Sequence, residues 1–245
     1  MKLDQFIVSI IIGACANLAI LEIRKYVHYF AIQSGLDSHI SVGKVTVDMY
    51  AKCGSLGDAR KVFDEKCEFD VASWNAMISG YAQHGYGQEA LQLFDQMQQV
   101  GLKPNNVAFA SVMLVCSSIG LVDEGHRLFD SIDQDYGITL TMEHCVCMVD
   151  LLGRAGKLNE AEDLIYKMLS DRNSLVCLTL LSTCRNHGNV DLGKQQTKHI
   201  LKLESQDALA YVLLSNIYAT TRRWDCLTNV RKNMKDKALK KVTKS

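Results

Sequence analysis

The chain has 245 residues, 48% hydrophobic and 22% charged with a single Pro, which excludes a disordered segment and supplies enough apolar surface for a continuous core. Lys and Arg together number 27, as do Asp and Glu, so the formal net charge is zero and binding driven by bulk positive charge is excluded. Nine cysteines, at 15, 53, 67, 116, 145, 147, 177, 184 and 226, contain no C-x-x-C. That pattern fits buried thiols in a reducing compartment rather than a zinc site or a disulfide framework.

The longest apolar run, Phe6 to Leu21, is broken by Ser9, Gly13 and Asn17. It falls short of the roughly 20 residues a membrane helix needs, so it reads as a core helix and no membrane is expected. Asp4 offsets Lys2, which removes the positive head of a signal peptide. A transit segment is rich in Arg and Ser and poor in acid. The first 30 residues offer Arg24 and Ser9 against Asp4 and Glu22, so no transit segment is expected there.

Further along, Trp74, Met77, Ile78, Tyr81 and Ala82 recur at i, i+3, i+4, i+7 and i+8, which predicts one apolar stripe on a helix. Gly85 can close that helix in the left-handed conformation. Ala90, Leu93, Phe94 and Met97 repeat the spacing, and Gly101 and Pro104 then stop the second helix. Residues 71–105 therefore form a 35-residue helical hairpin that cannot bury both of its faces alone. Glycines at the corresponding place recur as Gly54, Gly85, Gly120, Gly156 and Gly188, at spacings of 31, 35, 36 and 32. A near-constant period of this size is the signature of stacked helical hairpins.

Three stretches carry a family resemblance: VDMYAKCGSLGDARKVFDE (47–65), SWNAMISGYAQHGYGQEALQLFDQM (73–97) and MEHCVCMVDLLGRAGKLNEAEDLIYKM (142–168). They resemble the pentatricopeptide repeat family, specifically its plant organellar subfamily with long, short and standard repeats in rotation. The resemblance implies an all-α, right-handed solenoid of about seven helix-turn-helix repeats. Five repeats would span 5–39, 40–70, 71–105, 106–141 and 142–174. Two hairpins at 175–242 resemble the tetratricopeptide-like C-terminal extension motifs of editing factors, and 243–245 is a tail. The end, from Lys235, is Lys-rich and reads as a solvated helix terminus favoured by the helix dipole.

Fuller members of that subfamily end in a zinc-dependent cytidine deaminase, whose chemistry needs an H-x-E…P-C-x-x-C pattern. None of the seven His begins an H-x-E, and the single Pro104 precedes Asn105, so that domain is not expected in these residues and no enzyme activity is expected. His144, Cys145 and Cys147 form the densest ligand-like cluster. Ligands at i, i+1 and i+3 of a helix point to different sides and do not converge on one tetrahedral ion. No phosphate loop, nucleophile elbow or dinucleotide fingerprint is found, and no metal or cofactor is expected.

Helical repeat readers present two or three side chains per hairpin to one unpaired base. In the resembled family the fifth and last residues of a repeat make the main choice. Carried onto this chain, the third repeat supplies Asn75 and Asn105, a pair resembling combinations that prefer pyrimidines, with Ala72 packing against the base. The first supplies Ser9 and His39, the second Lys44 and Asp70, the fourth Ala110 and Thr141, and the fifth Val146. Ala and Val cannot bond a base edge through their side chains, and Lys44 suits either a phosphate or Asp70. The competing reading makes Asn75 a helix-start residue and Asn105 a turn residue after Pro104.

The resemblance thus implies a monomeric adaptor that binds single-stranded RNA in a mitochondrion or chloroplast. Its residues 175–242 would recruit a deaminase-bearing partner for C-to-U editing in trans. Arg222, Arg223 and Trp224 are candidate anchors for such a partner, although Trp224 is expected to pack between helices and the arginines to form a solvated turn. The alternatives are a protein-interaction scaffold without RNA function, favoured by the zero net charge, and a truncated, non-functional paralogue.

Overall fold

The computed structural model describes residues 4–16, 21–65, 70–167, 174–203 and 207–236. Among the described residues there are fourteen α-helices and no strand. They are α1 (Gln5–Ala16), α2 (Leu21–Gln33), α3 (Ile40–Lys52), α4 (Leu56–Asp64), α5 (Val71–Gln83), α6 (Gly87–Gln99) and α7 (Asn106–Ile119). They continue as α8 (Val122–Gln134), α9 (Met142–Arg154), α10 (Leu158–Lys167), α11 (Ser174–Asn186), α12 (Val190–Leu203), α13 (Ala208–Thr220) and α14 (Trp224–Asp236). The architecture is an all-α helical-repeat fold. None of these helices is long and apolar enough to cross a membrane.

Two compact units are present: Met1–Ile119 with Ser131–Ile138, and Gly120–Asp130 with Thr139–Ser245. In the first, α1, α3, α5 and α7 form a layer of successive neighbours, and α4 and α6 each pack against the odd helix that follows. In the second, α9, α11 and α13 form the layer, with α10 on α11 and α12 on α13.

The stripes read from the sequence account for both layers. On α5, Met77 and Ile78 are fully buried, and on α6 so are Ala90 and Met97, with Phe94 at 3% exposure. Phe94 meets Phe109 of α7 edge-on at 5.3 Å between ring centroids, and Phe63 of α4 meets Trp74 of α5 at 4.9 Å. The hairpins of α3–α4 and α5–α6 thus close their apolar faces on the next odd helix, the arrangement that makes a lone hairpin insufficient. The five periodic glycines all adopt the left-handed conformation, with φ from 62° to 84°, and let the chain reverse at once after each helix.

Two burial expectations need correction. The run from Phe6 is only half core: Val8 and Ile12 are buried, but Phe6 and Ile10 are 69% and 71% exposed. Among the described residues α1 has a layer neighbour, α3, on one side only. Helix α1 also stops at Ala16, and residues 17–20 lie outside the described set. Trp224, expected between helices, is 61% exposed at the first position of α14, because among the described residues no helix follows α14 to cover it. Arg222 and Arg223 are exposed in the turn before it, as expected. Of the lysines at the C-terminus, Lys235 sits in the last turn of α14, and the others lie outside the described residues.

Candidate nucleic-acid interface

The candidate base-reading positions lie in the odd helices or at their N-terminal caps. Asp70 caps α5: its carboxylate accepts from the Ser73 amide at 3.2 Å. Counted from Val71, Asn75 is the fifth residue and lies a full turn inside α5, so the helix-start reading does not hold. Asn105 caps α7, its Oδ1 accepting from the amides of Val107 (3.1 Å) and Ala108 (3.2 Å). The two side chains meet, with Asn75 Nδ2 donating to Asn105 Oδ1 at 2.9 Å.

Asn75 is 8% exposed, and among the described residues its buried Oδ1 has no hydrogen-bond partner. Beside it opens a groove of about 370 Å³ between α3, α5 and α7, lined by Ala72, Asn75, Ser79, Gln83, Lys52 and Val107 among others. Asn75, Ser79 and Gln83 stand at i, i+4 and i+8, one stripe along α5. Ser111 Oγ donates to the Val107 carbonyl at 2.8 Å, which leaves it to accept from Ser79 at 2.7 Å. Close approach of α3 and α5 holds the groove in shape: a Cβ on Gly80 would stand 2.8 Å from Ala51 Cβ and 3.3 Å from Leu56 Cδ2.

The local field is neutral. Lys44 pairs with Asp70 at 2.7 Å, and Lys52 with Asp48 at 2.7 Å. The Lys44 ammonium holds the Asp70 carboxyl below the usual carboxylate range. Of the two roles open to Lys44, the ion pair is the one realised here.

The remaining candidates are dispersed. Ser9 Oγ in α1 is buried and has no hydrogen-bond partner among the described residues, while His39 precedes α3 at its cap position. Ala72 is exposed on the groove wall, and Ala110 is half-buried in α7. In the second unit Thr141 precedes α9, and Val146, the fifth residue of α9, is half-buried. The corresponding fifth residues of α11 and α13 are Leu178 and Val212, both half-buried, and the second residues Leu175 and Leu209 are each 51% exposed. The fifth position, mainly polar in the first unit, is therefore apolar in the second.

His144, Cys145 and Cys147 serve packing. His144 is fully buried, and its Nδ1 accepts from the Thr141 amide at 3.2 Å as a helix cap. Burial pushes the Cys145 and Cys147 thiols up to about 11, away from the thiolate form that binds metals. Sequence reasoning missed Ser79, Gln83 and Lys52. The i+4 continuation of Asn75 along its own helix was the signal that would have found the first two.

Comparison with known proteins settles the family. A profile of the PPR repeat family matches residues 70–118, the PPR repeat itself matches 144–173, and the E motif matches 187–243. The chain belongs to the pentatricopeptide repeat family. The Arabidopsis thaliana pentatricopeptide repeat-containing protein CRR2, chloroplastic, is 43% identical over 232 residues, 95% of this chain and 35% of that protein. A mitochondrial pentatricopeptide repeat-containing protein of the same plant is 41% identical over 239 residues, 98% of this chain and 31% of its own length. The chain thus spans about a third of these relatives. Among solved structures, PPR10 in complex with an 18-nt psaJ RNA element superposes with a TM-score of 0.63 at 13% identity, over 96% of this chain and 41% of that one. The PPR domain of Arabidopsis thaliana protein-only RNase P 1, in complex with tRNA, gives 0.57 at 15% identity, over 76% and 95%. Pentatricopeptide hairpins are therefore the fold of this chain, and its last hairpins carry the E motif.

Proposed function

We propose that the chain is a single-stranded RNA-binding adaptor of organellar RNA metabolism, with a short strand held along the odd helices and no chemistry of its own. The Asn75–Asn105 amide pair carries the reading. Two amides from adjacent repeats meet beside a groove that Asn75 lines, and the buried Asn75 Oδ1 has no hydrogen-bond partner among the described residues. An amide offers both a donor and an acceptor to a Watson–Crick edge, and Ala72 leaves room for the base to stack. The 5–174 stretch then acts as five repeats of unequal length, of which the third reads best. Ser9, His39, Lys44 and Asp70 occupy the same positions in the first two repeats and contribute less, Lys44 being held by Asp70. The names of the Arabidopsis relatives, chloroplastic and mitochondrial, support an organelle.

In this reading residues 175–242 recruit a deaminase supplied in trans for C-to-U editing. The apolar second and fifth positions of α11 and α13 support a protein contact there, since they cannot bond bases. The test is selection from a randomised single-stranded RNA pool with a salt titration. Retained binding with a pyrimidine fixed at one position, lost in N75A, is expected. No binding at low salt turns the reading over to a protein scaffold without RNA function, which the paired lysines and zero net charge would then explain.

A further inference from the structure

Four even helices, α4, α6, α10 and α12, bury two positions against the odd helix that follows, whereas Val122 and Phe129 at these positions of α8, and His28 at the eighth of α2, are half-buried. The first residue is Leu56 in α4, Leu158 in α10 and Val190 in α12, at 6%, 7% and 5% exposure, and in α6 it is the buried Gly87. The eighth residue is Phe63, Phe94, Ile165 and Thr197 in α4, α6, α10 and α12, again all buried. The contacts are specific. Leu56 lies at the Gly80 surface of α5, Gly87 at Val115 of α7, Phe63 on Trp74 and Phe94 on Phe109.

Helix α14 departs from this pattern at both positions. Its first residue is Trp224, 61% exposed, and its eighth is the exposed Arg231. The turn before it departs too. Where five hairpins place a left-handed glycine, this one holds Arg222 at φ 57°, a conformation that costs a side-chain-bearing residue about 1 kcal/mol or more. Across the turn and helix, Arg222, Arg223, Arg231, Lys232 and Lys235 are exposed, five cations against the two acids of the same stretch, Asp225 and Asp236. The position that elsewhere packs on a helix thus keeps an apolar anchor at its first residue and exchanges a buried Phe, Ile or Thr for a cation at its eighth.

We infer that this face of α14 docks an acidic amphipathic helix of a partner protein, with Trp224 in its apolar stripe and Arg231 against a carboxylate. The inference rests on reading residues 175–242 as a recruiting surface and gives that surface its anchor. Continuity with the helix-on-helix contacts of α4, α6, α10 and α12 selects a helix as the occupant. The five cations select an acidic one. Trp and Arg are also the side chains that dominate protein interfaces.

The experiment uses the full chain and a synthetic amphipathic helix with Leu and Ala on one face and Glu on its flanks, alongside the same peptide with Lys flanks. Binding is followed by anisotropy, and by the Trp emission, which shifts to the blue as Trp224 is covered. Saturable binding of the Glu peptide below ~100 µM is expected. W224A weakens it by about tenfold or more, and R231E reverses the preference toward the Lys peptide. Trp224 is exposed, so W224A leaves the thermal melt unchanged. Absence of saturable binding overturns the inference. Binding that survives W224A and R231E but is lost in the Leu175→Glu, Leu209→Glu double variant also overturns it, while leaving recruitment by residues 175–242 standing. Displacement of the peptide by a single-stranded RNA whose own affinity falls in W224A assigns the face to nucleic acid and overturns the proposal.

Discussion

The two compact units share one plan of odd helices layered side by side, yet they present different chemistry at the same helical positions. In the first unit the fifth residues are Ser9, Lys44, Asn75 and Ala110, and in the second they are Val146, Leu178 and Val212. Fold and function thus separate within one chain. The buried stripe repeats across both units because every hairpin must close on a neighbour. The fifth position is freer to diverge, and it is mainly polar in one unit and apolar in the other.

The largest effects should come from the stripe itself, and they should be alike in both units. Gly153→Val would place a Cβ 2.5 Å from Thr183 Oγ1 and 2.8 Å from its Cβ, and Gly80→Val one 2.8 Å from Ala51 Cβ. Each should lower stability by ~1–3 kcal/mol, read as a drop in melting temperature. Equal penalties support a shared scaffold, and a silent Gly80→Val would show that α3 and α5 can part without loss.

Base reading should break the symmetry. Asn75→Ala should cost ~1–3 kcal/mol of RNA affinity in a filter-binding titration, with little change in melting temperature. Asn105 also caps α7, so N105A should lose ~1 kcal/mol of stability as well, whereas N105S keeps the cap. An N105S variant that binds RNA as well as the parent would make Asn105 a cap alone. In the second unit, Val146→Asn tests whether the apolar fifth position is what ends the track. It should lengthen the protected RNA footprint by one nucleotide at that repeat, and an unchanged footprint would sink the comparison.

What the sequence made legible follows from what repeats. The stripes Trp74–Ala82 and Ala90–Met97, the left-handed glycines and the hairpin period are each set by the local chain and recur several times, so noise in one copy is corrected by the others. The Asn75–Asn105 contact was reachable only because the resemblance supplied a register, since 30 residues separate the partners. Ser79 and Gln83 were legible as an i+4 stripe but carry no motif. The exposure of Trp224 was not legible at all. Large aromatic residues at the first position of an even helix read as core, and only the neighbour that covers them, present after α12 and absent among the described residues after α14, decides otherwise.

The smallest effect concerns Lys44 and Asp70, and it separates charge from readout. The folded-state pKa of Asp70 is depressed, chiefly by the Lys44 hydrogen bond, so the pair's contribution is full above the ordinary carboxylate pKa and is lost as pH falls through the folded value. The carboxylate is about half exposed, so screening keeps that contribution small. Asp70→Asn retains a good helix cap for α5 and should flatten the acid limb of a stability–pH curve without moving its neutral plateau measurably. The same substitution releases Lys44 on α3. If RNA runs past that position, D70N should tighten binding at low salt and steepen the dependence of log K on log salt by about one. A flattened acid limb with an unchanged salt slope would place Lys44 away from the strand and confine contact to the third repeat.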